Sequence, residues 1–379
     1  PGLFDLVVID DAPRATLTRL LPAIIRGRSL AVAGDARTTP AQPGMPASGG
    51  SVPRDRFRVD ECPPRLASAG RDLFHVTLES LKCPPKDRIV LGHSYRGHPE
   101  ILALWGRLLY PYQPLHSAVT AGSRRDGGVR IVDVPATAEP MPSGSPWCNL
   151  AEVAEVVAQV RDLRRRAPES SLGVITPFAG QRDRLRAELQ DLEAGGRLTI
   201  DLPGVFQGGE WDVIVFSPAV ARGMSADARR EVDASPDLFA IALTRAREAL
   251  YLVADVEFCL EQEYLLRELA AHCQDLCRLR QDSPDAEGLF TSMILEGWIP
   301  KVQPCIGDIR VDLALEGGPG RQLAIEVEAD GVASRGDVSR ARAREAYLEC
   351  MGFRLLRLKG APLREDPSPA IDWIRSLLG

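Results

Sequence analysis

The residues of this chain that could do chemistry sit mostly where apolar runs end. The run over residues 6–9 stops at two adjacent acids, Asp10 and Asp11. A buried parallel strand that delivers carboxylates at its C-terminal edge is a common way to hold a metal ion beside a phosphate. Gly34 and Asp35 close a second run, SLAVAGD, and Arg96 lies in HSYRGHP. VITPFAGQ ends a strand-like run in a polar turn carrying Thr176, Pro177 and Gln181. Gln207, Gly208 and Glu210 precede the run WDVIVFS, and Thr244, Arg245 and Arg247 lie in ALTRARE. Further on, Asp312 falls in IRVDLAL, and Glu326, Glu328 and Asp330 fall in QLAIEVEAD. Strand side chains repeat every two residues, so these last three share one face. Acids on facing positions of a hairpin repel unless a cation joins them. A Mg²⁺ held by two or three such carboxylates activates water and polarises a scissile phosphate. Singly, each signal has an ordinary explanation: loop arginines are commonly solvated, a Gly-Asp is commonly a turn, and an acidic strand is commonly a solvated face.

To act together, such residues need strands ending at a common edge. Residues 86–265 alternate strand-like runs (VRIVDV, SLGVITPF, LTIDL, WDVIVFSPAV, ALYLVAD) with helical ones (EVAEVVAQVRDLRRR, GQRDRLRAELQDL). That alternation predicts a doubly wound parallel α/β sheet, and open sheets of this kind bind ligands at their carboxyl ends. Residues 1–85 open with a strand, a helix over 16–25 and a strand over 29–35. The stretch TTPAQPGMPASGGSVP then breaks regular structure. Residues 266–282 read as a charged amphipathic linker helix. Residues 283–379 follow another order: helix, hairpin across GGPGR, helix, strand, helix. At 379 residues the chain can bury more than one core. No run approaches the ~18 apolar residues of a membrane helix. The eight cysteines lack metal spacing and read as packed thiols in a reducing cytoplasm. A net charge of −6 gives no bulk attraction to nucleic acid, so such binding would need local basic patches.

In this order, IDDAP, GDARTTP, YRGHP, VITPFAGQ, FQGGEWDVIVFS and IALTRAR resemble the motif series of superfamily 1 helicases, in the branch related to the nonsense-mediated-decay helicase. The resemblance covers residues 1–255. It implies RecA-like P-loop NTPase sheets, the first incomplete here, with ATP and Mg²⁺ as cofactors. DNA is the implied partner, with RNA as the open alternative. By the same resemblance Asp10 holds Mg²⁺, Asp11 orients the attacking water, and Gly34, Asp35, Gln207, Gly208 and Glu210 serve the nucleotide. Arg96 and Arg245 stabilise the charge that a γ-phosphate in flight spreads over its oxygens. Thr176, Pro177, Gln181 and Thr244 face the nucleic acid. There are departures. Asp11 replaces a family Glu and is one methylene shorter, and Thr38 replaces a family Gln. No GxxxxGK[ST], the loop that cradles phosphates, occurs in the chain. The chain therefore reads either as the C-terminal part of a longer helicase, in which Pro1 leads straight into a strand, or as a degenerate relative that no longer hydrolyses ATP.

The tail has a resemblance of its own. Ser283, Glu287, Gln303, VDLAL with Asp312, VEADG with Glu328 and Asp330, Arg340, Arg344 and MGFRLLRL resemble small endonuclease-like domains related to the very-short-patch-repair enzyme. That is a branch of the restriction-endonuclease fold. The resemblance implies Mg²⁺ on Asp312 and Glu328, and cleavage by Asp312, Glu328 and Asp330. Arg340 and Arg344, one turn apart on one helix face, either contact phosphates or pair with nearby acids. The family's His after the DG pair is missing, since none of the five histidines lies in the tail. The leading expectation is a helicase–nuclease fusion acting on DNA. Its rivals are a nucleic-acid-binding or regulatory module with two decayed sites, and an RNA helicase fragment.

Overall fold

The computed structural model describes residues 2–15, 17–35, 73–75, 77, 84–110, 115–119, 127–134, 147–316, 322–328 and 338–378. By its contacts the chain divides into two compact units, Pro1–Leu91 and Gly92–Gly379.

In the first unit, β1 (Phe4–Ile9) and β2 (Gly27–Val32) pair in parallel, with Val8 opposite Ala31. Parallel neighbours need a crossover. Here it is a 3₁₀ turn over Ala12–Arg14 followed by α1 (Leu17–Ile24). Leu17, Leu20 and Ile24 pack with Val7, Leu30 and Val32 around Ile9 and Ala12, and the single turn α2 (Leu73–His75) adds Leu73 and Phe74. The sequence predicts β1 as a buried strand. Instead Phe4, Leu6 and Val8 are 52%, 54% and 64% exposed. Strand alternation puts Val7 and Ile9 toward the apolar cluster and turns those three the other way.

The second unit opens with β3 (His93–Ser94), α3 (Pro99–Leu109) and β4 (His116–Ser117), the two short strands pairing in parallel. Its main sheet uses β5 (Gly128–Asp133), β6 (Leu172–Ile175), β7 (Leu198–Asp201), β8 (Trp211–Phe216) and β9 (Ala246–Ala254). Their order is β5-β9-β8-β6-β7 and every pairing is parallel. The five strand-like runs of the sequence are these five strands, as predicted. Helices α4 (Leu150–Arg166) and α5 (Ala179–Glu193) cover one face, with Val153, Val156, Val160, Leu185 and Leu189 in one buried cluster with Val174, Val213 and Val215. After α6 (Ala226–Asp233), α7 (Pro236–Thr244) brings Phe239 and Leu243 into a second cluster with Ile214, Phe216, Leu250 and Leu252. Strands buried on both faces read as unbroken apolar runs, which is why VIVF carries no polar residue.

Beyond the short α8 (Val256–Leu260), α9 (Leu265–Asp282) takes up the segment read as a linker. Its Leu266, Leu269, Ala270, Cys273, Leu276 and Leu279 recur at helical spacing and are all buried. The same cluster runs on through Leu289, Phe290 and Met293 of α10 (Pro284–Leu295) into the tail. Each such leucine contributes about 1.5–3 kcal/mol by burial. The tail strands are β10 (Lys301–Val302), β11 (Cys305–Ile306), β12 (Ile309–Arg310), β13 (Leu313–Glu316), β14 (Gln322–Glu328) and β15 (Phe353–Lys359). One sheet has the order β10-β13-β14-β15, with β13–β14 antiparallel and β14–β15 parallel. Helix α11 (Val338–Cys350) stands between β14 and β15 in the chain, and α12 (Gly360–Glu365) and α13 (Ser368–Leu378) follow. The predicted strand IRVDLAL is broken. Its first residues form β12, which hairpins with β11, and Asp312 sits at the break before β13. No helix among the described residues is long and apolar enough to cross a membrane.

Candidate functional site

In the first unit the two acid-bearing strand ends meet. Asp11 takes the left-handed conformation at φ 50° and donates its N–H to Asp10 Oδ1 at 2.9 Å. Ala12 N–H then bonds Ala33 O at 3.0 Å, and Ala33 N–H bonds Ile9 O at 2.8 Å. These bonds hold the Gly34-Asp35 turn against the Asp10-Asp11 turn. Gly34 is required by packing, because a Cβ there would lie 2.4 Å from Pro13 Cδ.

In the second unit three arginines gather near the Glu210 carboxylate, and Arg96 bonds it. Arg96 Nη1 donates to Glu210 Oε1 at 2.7 Å. That bond, with Arg247 and Arg245 nearby, holds the Glu210 carboxyl below its ordinary range. Arg245 caps α7, so its guanidinium folds back: Nε and Nη2 donate to Thr244 Oγ1 at 3.1 and 2.8 Å, and Nη1 to Gly209 O at 3.3 Å. Trp211 N–H bonds Arg245 O at 2.9 Å, which registers the loop before β8 to the end of α7. Gly208 supports that loop at φ 79°, a conformation disfavoured for other residues. Gln207 lies beside it, half-buried. Arg247 pairs with Asp212. Burial opposes the Asp212 charge, but the Ser171 N–H and Arg247 outweigh it and its pKa falls. A pocket lies between α3 and α7, lined by Ser94, Arg96, Gly97, Trp105 and Thr244 among others. The structure therefore brings Arg96, Glu210, Thr244 and Arg245 together.

Two residues expected at the nucleic-acid face are not on a surface. Thr176 and Gln181 are both 0% exposed, while Pro177 is half-buried. Gln181 Oε1 accepts from Asn149 N–H at 2.8 Å and its Nε2 donates to Ser217 Oγ at 3.1 Å. Its amide ties the start of α4 to the end of β8, and that is what buries it. The same network holds Glu152, which the sequence reading missed. Ser217 Oγ and Ala219 N–H both donate to Glu152 Oε1, at 2.5 and 2.8 Å. Burial pushes this carboxyl up to about 8. Its signal was an acid on the apolar stripe of EVAEVVAQV.

In the tail, Asp312 Oδ2 accepts the Val327 N–H at 2.7 Å. Burial raises its pKa; the Val327 and Ser283 hydrogen bonds oppose that and the Glu326 charge adds to it. Gln303 N–H bonds Asp312 O at 2.8 Å. Ser283, Gln303, Asp312 and Glu326 are thus brought together. Glu328 ends β14 exposed, and Asp330 lies outside the described residues. Arg344 does not reach outward for phosphate. Its Nε donates to Glu326 Oε1 at 2.6 Å and its Nη2 to Arg310 O at 2.5 Å, because β14 presents Glu326 toward α11. Arg357 also lies 3.5 Å from Glu326. Arg340 lies in the first turn of α11, and its side chain is outside the described residues. Glu287 is likewise drawn away from the carboxylates, to Arg280 at 2.5 Å. Among the described residues no three His, Cys, Asp or Glu are placed to hold a metal. Asp312 and Glu328 each supply only oxygen, the donor that Mg²⁺ takes.

Residues 70–257 match the AAA domain family. Over 110 residues, 27% of the chain, the sequence is 31% identical to the "Probable helicase with zinc finger domain" of Homo sapiens and, to the same extent, to that of Mus musculus. The chain spans 6% of the length of these relatives. It is thus an α/β protein whose five-stranded parallel sheet is of the RecA-like kind, lying within the region that resembles the AAA domain family.

Proposed function

We propose that this chain belongs to an ATP-driven superfamily 1 helicase acting on DNA and carries a Mg²⁺-dependent endonuclease-like tail. One observation carries the motor reading: Arg96 bonds the Glu210 carboxylate and Arg245 lies nearby, where the chain enters β8 and β9 at the amino edge of the parallel sheet. Two guanidiniums so placed stabilise charge on a transferred phosphoryl group, and a nucleotide phosphate would compete with Glu210 for Arg96. Asp10 would hold Mg²⁺, which neutralises phosphate charge when bound, and Asp11 would orient water. Hydrolysis also needs a phosphate-cradling loop, and the sequence contains no GxxxxGK[ST]. The 379-residue chain by itself is therefore expected to show no steady ATP turnover. In a chain supplied with such a loop, Arg96→Ala and Arg245→Ala are each expected to lower DNA-stimulated turnover about 10³-fold or more. Unchanged turnover in either variant overturns the reading.

In the tail, Asp312 and Glu328 would hold Mg²⁺, which supplies an activated water when bound. A second reading, a nucleic-acid-binding module with a decayed site, is favoured by one observation. Glu326 is already neutralised by Arg344 and Arg357 rather than left for a cation.

A further inference from the structure

A buried ionic junction lies where α3, β5, α9 and α10 meet. Glu100, in the first turn of α3, is 1% exposed. Its Oε2 accepts from Val129 N–H at 3.0 Å and from Arg280 Nη2 at 2.6 Å. Arg280 closes α9, and it also donates Nη1 to Val129 O at 2.7 Å and Nε to Glu287 Oε1 at 2.5 Å. Arg130 lies 4.0 Å from both carboxylates, so two acids face two guanidiniums. Gly128 makes room: it has φ 85°, and a Cβ there would lie 2.1 Å from Glu100 Oε2.

Each end of this junction leads to a candidate site. Glu100 follows Arg96 by four residues, and its N–H is capped by His98 Nδ1 at 3.3 Å, so it anchors the loop that presents Arg96. Glu287 lies one helical turn past Ser283, the N-cap of α10, whose side chain bonds the Asp312 carboxyl. A charge taken from water into such a site is held by partners on several elements, so displacing one element disturbs the rest. We propose that this junction is a positioning device that couples the Arg96 loop of the AAA domain to the Asp312 corner of the tail. Glu100, Arg280 and Glu287 act through the elements they pin and touch no substrate. The coupling rests on the reading of Arg96 as a phosphate-sensing residue. By linkage, whatever nucleotide does to the tail, tail ligands must do to nucleotide affinity.

The test has two arms. In the first, hydrogen exchange of residues 92–100 is compared in the wild-type chain, in Glu287→Gln and in Asp285→Asn. Asp285 is in the same turn of α10, but it pairs with Arg364 at 2.6 Å rather than with the junction. Exchange in 92–100 is expected to accelerate several-fold in Glu287→Gln and to stay unchanged in Asp285→Asn. Equal exchange in Glu287→Gln and wild type, or equal acceleration in both variants, overturns the proposal. The second arm is a double-mutant cycle on affinity for Mg-ATPγS, in a chain supplied with a phosphate loop. Glu287→Gln is expected to weaken binding about fivefold or more with Arg96 in place, and not at all in the Arg96→Ala background. Additive effects overturn the coupling, because a merely structural role would leave the two sites independent. If the wild type binds no ATPγS, the nucleotide reading fails, and the exchange comparison still decides the junction.

Discussion

The AAA domain and the tail treat their carboxylates in opposite ways. Glu210 stands on a loop among three arginines, and its pKa is pulled down. Asp312 stands at a strand break beside Glu326, half-buried, and its pKa is pushed up. The difference lies in where each sequence puts positive charge. In the AAA domain, Arg96, Arg245 and Arg247 all come from loops or element ends at one sheet edge, and Arg96 keeps a 47% exposed side chain. On the proposed reading, such an edge would take an anion. In the tail, acids sit on neighbouring strands, and Arg344 and Arg357 compensate one of them from α11 and β15. On the proposed reading, Asp312 and Glu328 would serve a cation.

The largest effect that would break this comparison is on cleavage. If the tail carboxylates serve a cation, Asp312→Ala and Glu328→Ala are each expected to lower Mg²⁺-dependent DNA nicking about 10²-fold or more, with the circular dichroism spectrum unchanged. Nicking that survives either change would leave only the anion-attracting site standing. A smaller effect sharpens the contrast through Glu152, a carboxyl whose folded pKa of about 8 lies above its ordinary value of 4.5. Its stabilising contribution is complete below pH 4.5 and is lost as pH rises through about 8. Glu152→Gln is therefore expected to flatten the fall in Tm between pH 5 and 8, read by calorimetry. A slope as steep as wild type would show that Glu152 does not take up a proton on folding. The smallest expected effect is in the tail. Arg344→Ala should cost about 1 kcal/mol in urea unfolding, since the pair is partly solvated. It should also raise the Asp312 pKa further by leaving Glu326 less neutralised. A stability unchanged within error would show that Arg357 suffices.

Much of the architecture was legible from local pattern. Five apolar runs became five parallel strands because a strand covered on both faces has no room for a polar residue. Arg96, Glu210 and Arg245 could be singled out by the motifs they lie in, Glu210 and Arg245 just ahead of apolar runs. What pattern could not show was partnership. Gln181 and Thr176 sit in a motif that reads as a binding face, yet both are fully buried, and Gln181 is tied to the start of α4 and the end of β8. Arg344 reads equally as a phosphate contact or as the partner of a nearby acid, and the pleat of β14, which aims Glu326 at it, decides for the acid. The break at Asp312 was missed because IRVDLAL alternates as well as any continuous strand.

By itself the sequence determined where strands and helices form and which loops carry charge, since those depend on periodicity and on residues near in the chain. Only the tertiary structure decided which charges neutralise one another. Glu100 and Arg280 are 180 positions apart and meet at 2.6 Å. Electrostatic pairing depends on distance and burial in space, and neither is written in local order.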